Sequence, residues 1–236
     1  MLLGVNIDHV ATLRNARGGM KPSVLDAAKI CEKLGVSGIT THLREDRRHI
    51  KDEDVFTIKE NISTRLNLEM AMTEEMKRIA LELKPAACCI VPEKREEVTT
   101  EGGLDVAGQV KKAIEFVKPL NDAGIVVSMF IDPDKNQIDA TLEANAPFIE
   151  LHTGAYSNEF GSDLEEDEFQ KLKMAAAYAQ KHGLKVNAGH GLDYDNVKRM
   201  HEIPDLIELN IGHSIISRAV FVGLETAIIE MRDLIK

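Results

Sequence analysis

Eight short apolar runs, separated mostly by stretches of helix length, constrain the fold of this chain more than any other feature of its sequence. The runs have the length of buried strands and are rich in β-branched residues. They are Leu2–Ile7, Gly38–Leu43, Leu66–Met70, Ala86–Val91, Ile125–Ile131, Phe148–His152, Lys185–Ala188 and Leu206–Ile211. Strands that alternate with helices form a parallel sheet, and eight of them close a (β/α)8 barrel. The sequence therefore predicts an α/β protein, a single TIM barrel domain over residues 1–236.

Several stretches between the runs carry helix signals. Ser23–Leu34 places its apolar residues at helical spacing and opens like a capping box. Thr73 is a candidate N-cap for a second helix, and Asp132-Pro133 supplies a cap and a first-turn proline for a third. A fourth helix is predicted from Ser162 to about Lys181, and a last one from about Ser214 to Leu234 as one element.

Glycine recurs where a predicted helix ends and a strand begins, at Gly35, Gly124 and Gly183. Glycine adopts the left-handed conformation that ends many helices at no steric cost. An open doubly wound sheet is the competing architecture, but no G-x-G-x-x-G motif follows the first strand. No linker or low-complexity segment divides the chain, which favours one closed barrel.

The charge balance and the cysteines exclude several classes of protein. The net charge is −10, whereas surfaces that bind nucleic acid or anionic membranes need a basic excess. Asp8 comes too early for a signal peptide, and no apolar run approaches the ~20 residues of a transmembrane helix. Cys31, Cys88 and Cys89 lie in apolar segments, which is typical of reduced core thiols. We therefore expect a soluble, cytoplasmic protein without nucleic-acid or membrane partners.

Titratable and polar residues gather at the ends of the predicted strands and are rare at their starts. The active sites of (β/α)8 enzymes lie at the C-terminal ends of the strands. Six of the eight histidines fall at or just beyond strand ends, while His182 and His201 lie near helix ends and suit structural roles. The six are His9, His42, His49, His152, His190 and His213. This one-sided distribution predicts an enzyme.

Glycines after strands seven and eight predict a phosphate site. Gly189, Gly191 and Gly212 flank His190 and His213. Barrels of this type commonly hold a phosphate on the backbone amides of these two loops and a helix N-terminus. The alternative is that these glycines only let the chain turn.

Basic residues after strand two predict a second anion site. Arg44 and Arg47 carry guanidinium groups that bind anions bidentately, and His49 follows them. Arg14 and Arg17, which come after the first strand, are further candidates, although exposed arginines are usually only solvated.

Glu69 and Glu150 are embedded in apolar strands, where loss of solvent raises a carboxyl pKa toward neutrality and suits a proton shuttle. The alternative is two buried glutamates, each paired with a histidine or arginine. No lysine lies at a strand end, which disfavours a lysine Schiff base. A metal site formed by His42, Glu69 and His152 is conceivable.

Seven segments of the chain resemble the pyridoxine 5′-phosphate synthase family. The segments are NIDHVATLRNARG (Asn6–Gly18), THLREDRRHI (Thr41–Ile50), RLNLEMA (Arg65–Ala71), VPEKREEVTTEGGLDV (Val91–Val106), FIELHTGAY (Phe148–Tyr156), VNAGHGL (Val186–Leu192) and ELNIGHSII (Glu208–Ile216). They span essentially the whole chain, and no motif position departs from the family pattern. The resemblance implies a (β/α)8 transferase of vitamin B6 biosynthesis that needs no cofactor or metal.

The resemblance also implies the substrates and the roles of individual residues. The family condenses 1-deoxy-D-xylulose 5-phosphate with 3-amino-2-oxopropyl phosphate to give pyridoxine 5′-phosphate, phosphate and water. The substrate's own amine forms the imine, which accounts for the missing lysine. The family's acid–base residues fall on His42, Glu69 and His190, and its transition-state stabiliser falls on Glu150.

The family's substrate contacts fall on two further sets of residues. Those to the sugar phosphate are Asp8, His9, Arg44, His49 and Thr99. Those to the aminoketone phosphate are Asn6, Arg17, Gly191, Gly212 and His213. Members of the family are octamers assembled from dimers, and the arginine that matches Arg17 reaches the site of a neighbouring subunit.

Two other functions are compatible with the residue pattern alone. A phosphosugar isomerase or epimerase would use the same phosphate loop but needs no second anion site, and a phosphate-ligand sensor would need no Glu69. The polar segment Val91–Gly103 follows strand four and ends in two glycines, so we expect it to close over the site. Within it, we expect Thr99→Ala to weaken sugar-phosphate binding more than it slows the chemistry.

Overall fold

The computed structural model describes residues 1–93 and 102–236. In these residues eight parallel strands form a closed barrel in which each strand pairs with the next and β8 pairs with β1. The strands are β1 Leu2–Asn6, β2 Gly38–His42, β3 Arg65–Met70, β4 Ala87–Ile90, β5 Val126–Ile131, β6 Phe148–His152, β7 Lys185–Gly189 and β8 Glu208–Ile211. The predicted barrel is confirmed, and every strand begins and ends within two residues of its predicted bounds.

Helices connect the strands around the outside of the barrel. Those in the described residues are α1 Asp8–Asn15, α2 Val24–Lys33, α3 Asp52–Asn61, α4 Glu74–Leu83, α5 Val110–Asp122, α6 Lys135–Glu143, α7 Gly154–Glu159, α8 Glu165–Lys181, α9 His213–Val222 and α10 Leu224–Leu234. Short 3-10 turns lie at Ala107–Gln109 and Val197–Glu202. Among the helices that the structure describes, none is both long and apolar enough to cross a membrane.

Local signals account for the helix ends that were predicted. The Ser23 and Thr73 side chains each accept a hydrogen bond from the backbone N–H three residues further on, at the starts of α2 and α4. Each glycine of the predicted helix–strand junctions has a positive φ, which is 70° at Gly35, 78° at Gly124 and 93° at Gly183. Only glycine adopts this conformation without a steric cost.

Two helix predictions are wrong. The last predicted helix is two helices, because Gly223 has a φ of 82° and a ψ of 154° and ends α9 before α10 begins. Asp132 does not cap the helix after β5. Asp134 caps it instead, accepting hydrogen bonds from the two backbone N–H groups that follow Lys135.

The strands divide their side chains between an apolar outer face and a polar interior. On β3, Leu66, Leu68 and Met70 are at most 1% exposed and belong to the core cluster that the strands and surrounding helices share. The alternate residues Asn67 and Glu69 make polar contacts across the barrel. Because strand side chains alternate between faces, this arrangement stabilises the fold from outside and leaves polar groups free to line the interior.

An ion pair lies inside the barrel, near the N-terminal ends of the strands. The Glu208 side chain is 2% exposed and accepts hydrogen bonds from the Arg65 guanidinium and, at 2.5 Å, from the Ser37 hydroxyl. The Arg65 side chain is 35% exposed and retains contact with water. The buried Glu208 carboxylate therefore depends on Arg65 for its neutralisation, whereas Arg65 can also be solvated by water.

We expect Arg65→Met to lower the free energy of unfolding by about 3 kcal/mol, because it leaves the Glu208 carboxylate buried without its cation. Glu208→Gln should cost only about 1 kcal/mol, since the remaining guanidinium can hydrate. Urea denaturation of both variants at neutral pH checks this order. Equal losses would show that the pair is not asymmetric.

Candidate active site

The side chains at the C-terminal ends of β1, β2 and β3 form one hydrogen-bonded cluster. The Asp8 carboxylate accepts the backbone N–H of His42 at 2.9 Å and the Asn6 amide at 2.8 Å. The same Asn6 amide lies 3.4 Å from Glu69 Oε2, and His42 Nδ1 lies 4.0 Å from that oxygen. Adjacent parallel strands thus bring two carboxyls and an imidazole of the predicted site into one group.

Glu150 lies deeper in the barrel, at the end of a polar chain. The Asn67 amide is 3.3 Å from the Thr40 hydroxyl, and that hydroxyl is 3.1 Å from Asn210 Oδ1. Asn210 in turn donates its amide N–H to Glu150 Oε2 at 2.6 Å. The Cys89 thiol lies 3.8 Å from the same carboxylate oxygen. Donors therefore surround one oxygen of Glu150.

Burial raises the pKa values of three of these carboxyls. The pKa of Glu69 lies well above its usual range because of burial first, and then because Asp8 and Glu150 are close. Burial raises the pKa of Asp8 to about 6 and that of Glu150 to about 7, against the opposing effects of their hydrogen-bond partners. The predicted direction is confirmed for both glutamates. Groups that exchange protons near neutral pH suit general acid–base catalysis.

Glu93 was missed by the sequence analysis. It lies just after β4, and its Oε1 is 2.8 Å from His42 Nε2, while its Oε2 accepts the backbone N–H of Glu45 at 3.0 Å. Burial opposes ionisation, but the hydrogen bond and charge of His42 outweigh it and lower the pKa of Glu93. The position of Glu93 could have indicated a role in the site, because it is a carboxylate at the end of a strand. The sequence analysis instead assigned Glu93 to a loop.

The six strand-end histidines lie in three pairs. The ring centroids are 5.0 Å apart for His9 and His213, 6.1 Å for His42 and His49, and 5.2 Å for His152 and His190. Burial, reinforced by neighbouring imidazoles, lowers the pKa of His9, that of His49 to about 3 and that of His190 to about 4. The folded environment therefore favours the neutral form of these three histidines.

His190 is held in an uncommon backbone conformation. Its φ is 79°, in the left-handed region that costs a non-glycine residue free energy. The buried Thr153 hydroxyl lies 2.5 Å from the His190 carbonyl and 2.8 Å from that of Gly189. The ring also contacts Phe130, at a centroid distance of 6.3 Å. The end of β6 therefore supports the conformation of His190.

The glycines of the predicted phosphate loops let the backbone approach other groups closely. A Cβ on Gly189 would lie 2.5 Å from Glu150 Oε1, and one on Gly212 would lie 2.8 Å from the Asn6 Cβ. Gly191 has a φ of 81°. These glycines are therefore required by conformation or by space, and Gly189 and Gly212 pack closely against Glu150 and Asn6.

The arginines divide between the site and the scaffold. Arg44 is buried at the end of β2, where its guanidinium donates two hydrogen bonds of 3.2 Å to the Asp46 carboxylate. Arg47 and Arg14 are instead held by carboxylates of the neighbouring helices. Arg47 pairs with Asp52 and Glu75 on the neighbouring helices, and Arg14 is held bidentately by Asp54 at 2.6 and 2.9 Å. Arg17 is exposed on the loop after α1, and Thr99 lies outside the described residues.

The proposed metal set of His42, Glu69 and His152 is not brought together. His152 Nδ1 lies 2.9 Å from Asp132, and the potential ligand atoms that approach within 4.8 Å of one another in the described residues are those of Asp8, His42 and Glu69. The two helix-end histidines are structural as predicted. His182 contacts Tyr178, and His201 contacts the last turn of α10.

Solved structures of other proteins share this barrel architecture. The fold is similar to that of 3-keto-L-gulonate-6-phosphate decarboxylase from Vibrio cholerae, with a TM-score of 0.66 and 13% identity over 99% of this chain and 96% of that one. It is also similar to phosphoribosyl anthranilate isomerase from Thermus thermophilus, with a TM-score of 0.59 and 13% identity over 98% and 100% of the two chains. At this identity the similarity shows the fold alone.

Other known proteins are much more similar to this chain in sequence. Residues 3–236 match the family described as pyridoxal phosphate biosynthesis protein PdxJ. The chain is 60% identical to a pyridoxine 5′-phosphate synthase from Photobacterium profundum, over 98% of this chain and 96% of that protein. It is 59% identical to one from Aliivibrio fischeri, over 98% and 95%. The chain therefore belongs to the PdxJ family and is, by family, a pyridoxine 5′-phosphate synthase, an enzyme of vitamin B6 biosynthesis.

Proposed function

We propose that the chain condenses 1-deoxy-D-xylulose 5-phosphate with 3-amino-2-oxopropyl phosphate. The amine of the second substrate attacks the ketone of the first, an imine forms as water leaves, and ring closure then releases phosphate and further water. Each of these steps moves protons between carbon, oxygen and nitrogen. The protein's task in this scheme is to hold two anionic substrates together and to supply acids and bases at fixed positions.

In this proposal His42, Glu69 and His190 transfer the protons, and Glu150 stabilises charge that develops during ring formation. The observation that carries it is the position of Glu69. The pKa of Glu69 is raised well above its usual range, chiefly by burial, and this carboxyl lies 4.0 Å from the imidazole of His42, so two groups that can exchange protons lie side by side.

The proposed substrate contacts follow the two groups of residues expected from the family. The sugar phosphate would contact Asp8, His9, Arg44, His49 and Thr99. The aminoketone phosphate would contact Asn6, Arg17, Gly191, Gly212 and His213. Burial of Arg44 supports the first site, because a desolvated guanidinium binds an anion more strongly than an exposed one. The close-packed glycine loops support the second.

We also propose a cytoplasmic homo-octamer assembled from dimers, in which Arg17 completes the site of its neighbour. Arg17 is exposed, and the nearby Leu13 and Met20 are 51% and 85% exposed. Exposed apolar side chains of this kind commonly mark interfaces. The three buried free thiols are compatible with a reducing compartment.

The direct test is to incubate the purified enzyme with both phosphorylated ketones, while following the pyridine absorbance and the released phosphate. We expect both signals only when the two substrates are present together. Turnover of the sugar phosphate alone, without the amine, would instead favour an isomerase or epimerase. Binding without any turnover would favour a ligand sensor.

A further inference from the structure

The Glu93 side chain occupies one nitrogen of His42 and is itself fixed at both oxygens. Oε1 lies 2.8 Å from His42 Nε2, and Oε2 accepts the Glu45 backbone N–H at 3.0 Å. The Glu93 and His42 side chains are 5% and 9% exposed. Because β2 supplies the histidine and the exit of β4 supplies the carboxylate, the contact bridges two strand ends.

The chemistry of the two groups decides where the imidazole proton lies. An ionised carboxylate only accepts hydrogen bonds, so a neutral His42 that bonds to Glu93 must carry its proton on Nε2. Nδ1 is then left with its lone pair, and it is the nitrogen that lies 4.0 Å from Glu69 Oε2. The Glu69 carboxyl, whose pKa is raised chiefly by burial, is therefore the group that faces this lone pair.

Other charged and titratable groups also face His42. Asp8 accepts the His42 backbone N–H, the His49 ring is 6.1 Å away, and Arg44 lies close enough to influence the same carboxyls. Among the described residues, Glu93 is the side chain that hydrogen-bonds to Nε2. The orientation of the ring therefore depends chiefly on this carboxylate.

We propose that Glu93 is a positioning residue that fixes the His42 proton on Nε2 and directs Nδ1 toward Glu69 and the substrates. The inference rests on the proposed role of His42 in proton transfer. When Nδ1 takes a proton, the Glu93 carboxylate stabilises the imidazolium, and no proton needs to pass to Glu93 itself. This is the division of labour of a carboxylate–imidazole pair in which the carboxylate orients and stabilises the base.

The test combines kinetics with ¹⁵N NMR of histidine-labelled enzyme, in which His42→Gln assigns the His42 signals. In Glu93→Gln the amide can either accept from Nε2 or donate to it, so the ring is no longer held in one tautomer. We expect kcat to fall on the order of 100-fold or more with little change in KM.

Two variants complete the experiment. Glu93→Asp keeps the charge and should retain the Nε2–H tautomer with a smaller loss of kcat. Glu60→Gln changes an exposed glutamate on α3 and should behave like the wild type. The NMR result does not depend on turnover, so it tests the inference even if the proposed reaction is incorrect. A wild-type His42 spectrum and unchanged kcat in Glu93→Gln would overturn it.

Discussion

Replacing Glu69 by glutamine is expected to abolish turnover and, at the same time, to stabilise the folded chain above neutral pH. The substitution keeps the size of the side chain but removes the carboxyl group that we propose exchanges protons during the reaction. Loss of a general acid or base typically costs about 10²–10⁴-fold in rate. Steady-state kinetics with both substrates should therefore show a fall in kcat of about 1,000-fold, with smaller changes in KM.

The stability gain follows from the raised pKa of Glu69. The unfolded carboxyl ionises near its ordinary pKa of 4.5, whereas the folded one retains its proton to a higher pH. The wild type therefore loses stability as the pH rises from about 4.5 through the folded pKa. Glutamine does not ionise, so the stability of the variant relative to the wild type should increase with pH.

Thermal unfolding at pH 5 and pH 8 measures this difference, and Glu60→Gln, at an exposed position on α3, is the matched control. The control should leave activity and the pH dependence unchanged. A Glu69→Gln variant that is less stable than the wild type at pH 8 would show that the carboxylate, and not the acid, is the form that the fold stabilises.

Two inactive variants are expected to recover activity when they are refolded together. In the proposed dimer, Arg17→Ala removes the residue that each chain would lend to its neighbour, and Glu69→Gln inactivates the chain's own site. In a dimer that contains one chain of each kind, one site has both an intact Glu69 and an intact Arg17 from its partner. Random pairing makes half of the dimers mixed, so about a quarter of all sites should be active.

A matched control uses two changes in the same half of the site. Glu69→Gln refolded with Glu150→Gln should remain inactive, because every site in the mixed dimers lacks one of the two glutamates. Recovery near a quarter of wild-type activity in the first mixture and none in the second supports the shared site. No recovery in the first mixture, despite subunit exchange shown by mass spectrometry, would place Arg17 outside the neighbour's site.

The strands could be predicted from the sequence because each one is buried on its outer face and ends in polar residues. The helices were harder where no capping signal marks them. Asp8–Asn15 begins directly after β1 with no side-chain cap at Ile7, and it was not predicted. The break at Gly223 was missed because the apolar spacing continues on both sides of it, and only the backbone conformation separates α9 from α10.

The residues of the candidate site could also be predicted only in part. Strand-end position selected His42, Glu69 and Glu150, since the parallel barrel brings those ends together. It did not separate Arg44 from Arg47, because the ion pairs of Arg47 with Asp52 and Glu75 depend on how α3 and α4 pack. Long flexible side chains can reach either partner, so sequence position alone does not decide which one they bind.

The same limit applies to Asp132, whose motif resembled a helix cap. In the fold it accepts hydrogen bonds from the Gly103 backbone and lies 2.9 Å from His152 Nδ1, which connects the segment before α5 to the end of β6. Such contacts join residues that are distant in sequence. They become visible only once the barrel has closed.

The central claim is that one rim holds both phosphorylated substrates around Glu69 and His42. A crystal structure of Glu69→Gln with 1-deoxy-D-xylulose 5-phosphate and inorganic phosphate tests it most directly. We predict one phosphate group near Arg44 and His49, the other at the loops of Gly191 and Gly212, and the ketone of the sugar beside residue 69. Anions bound at the opposite end of the barrel, or too far apart for two joined substrates to span, would contradict the claim.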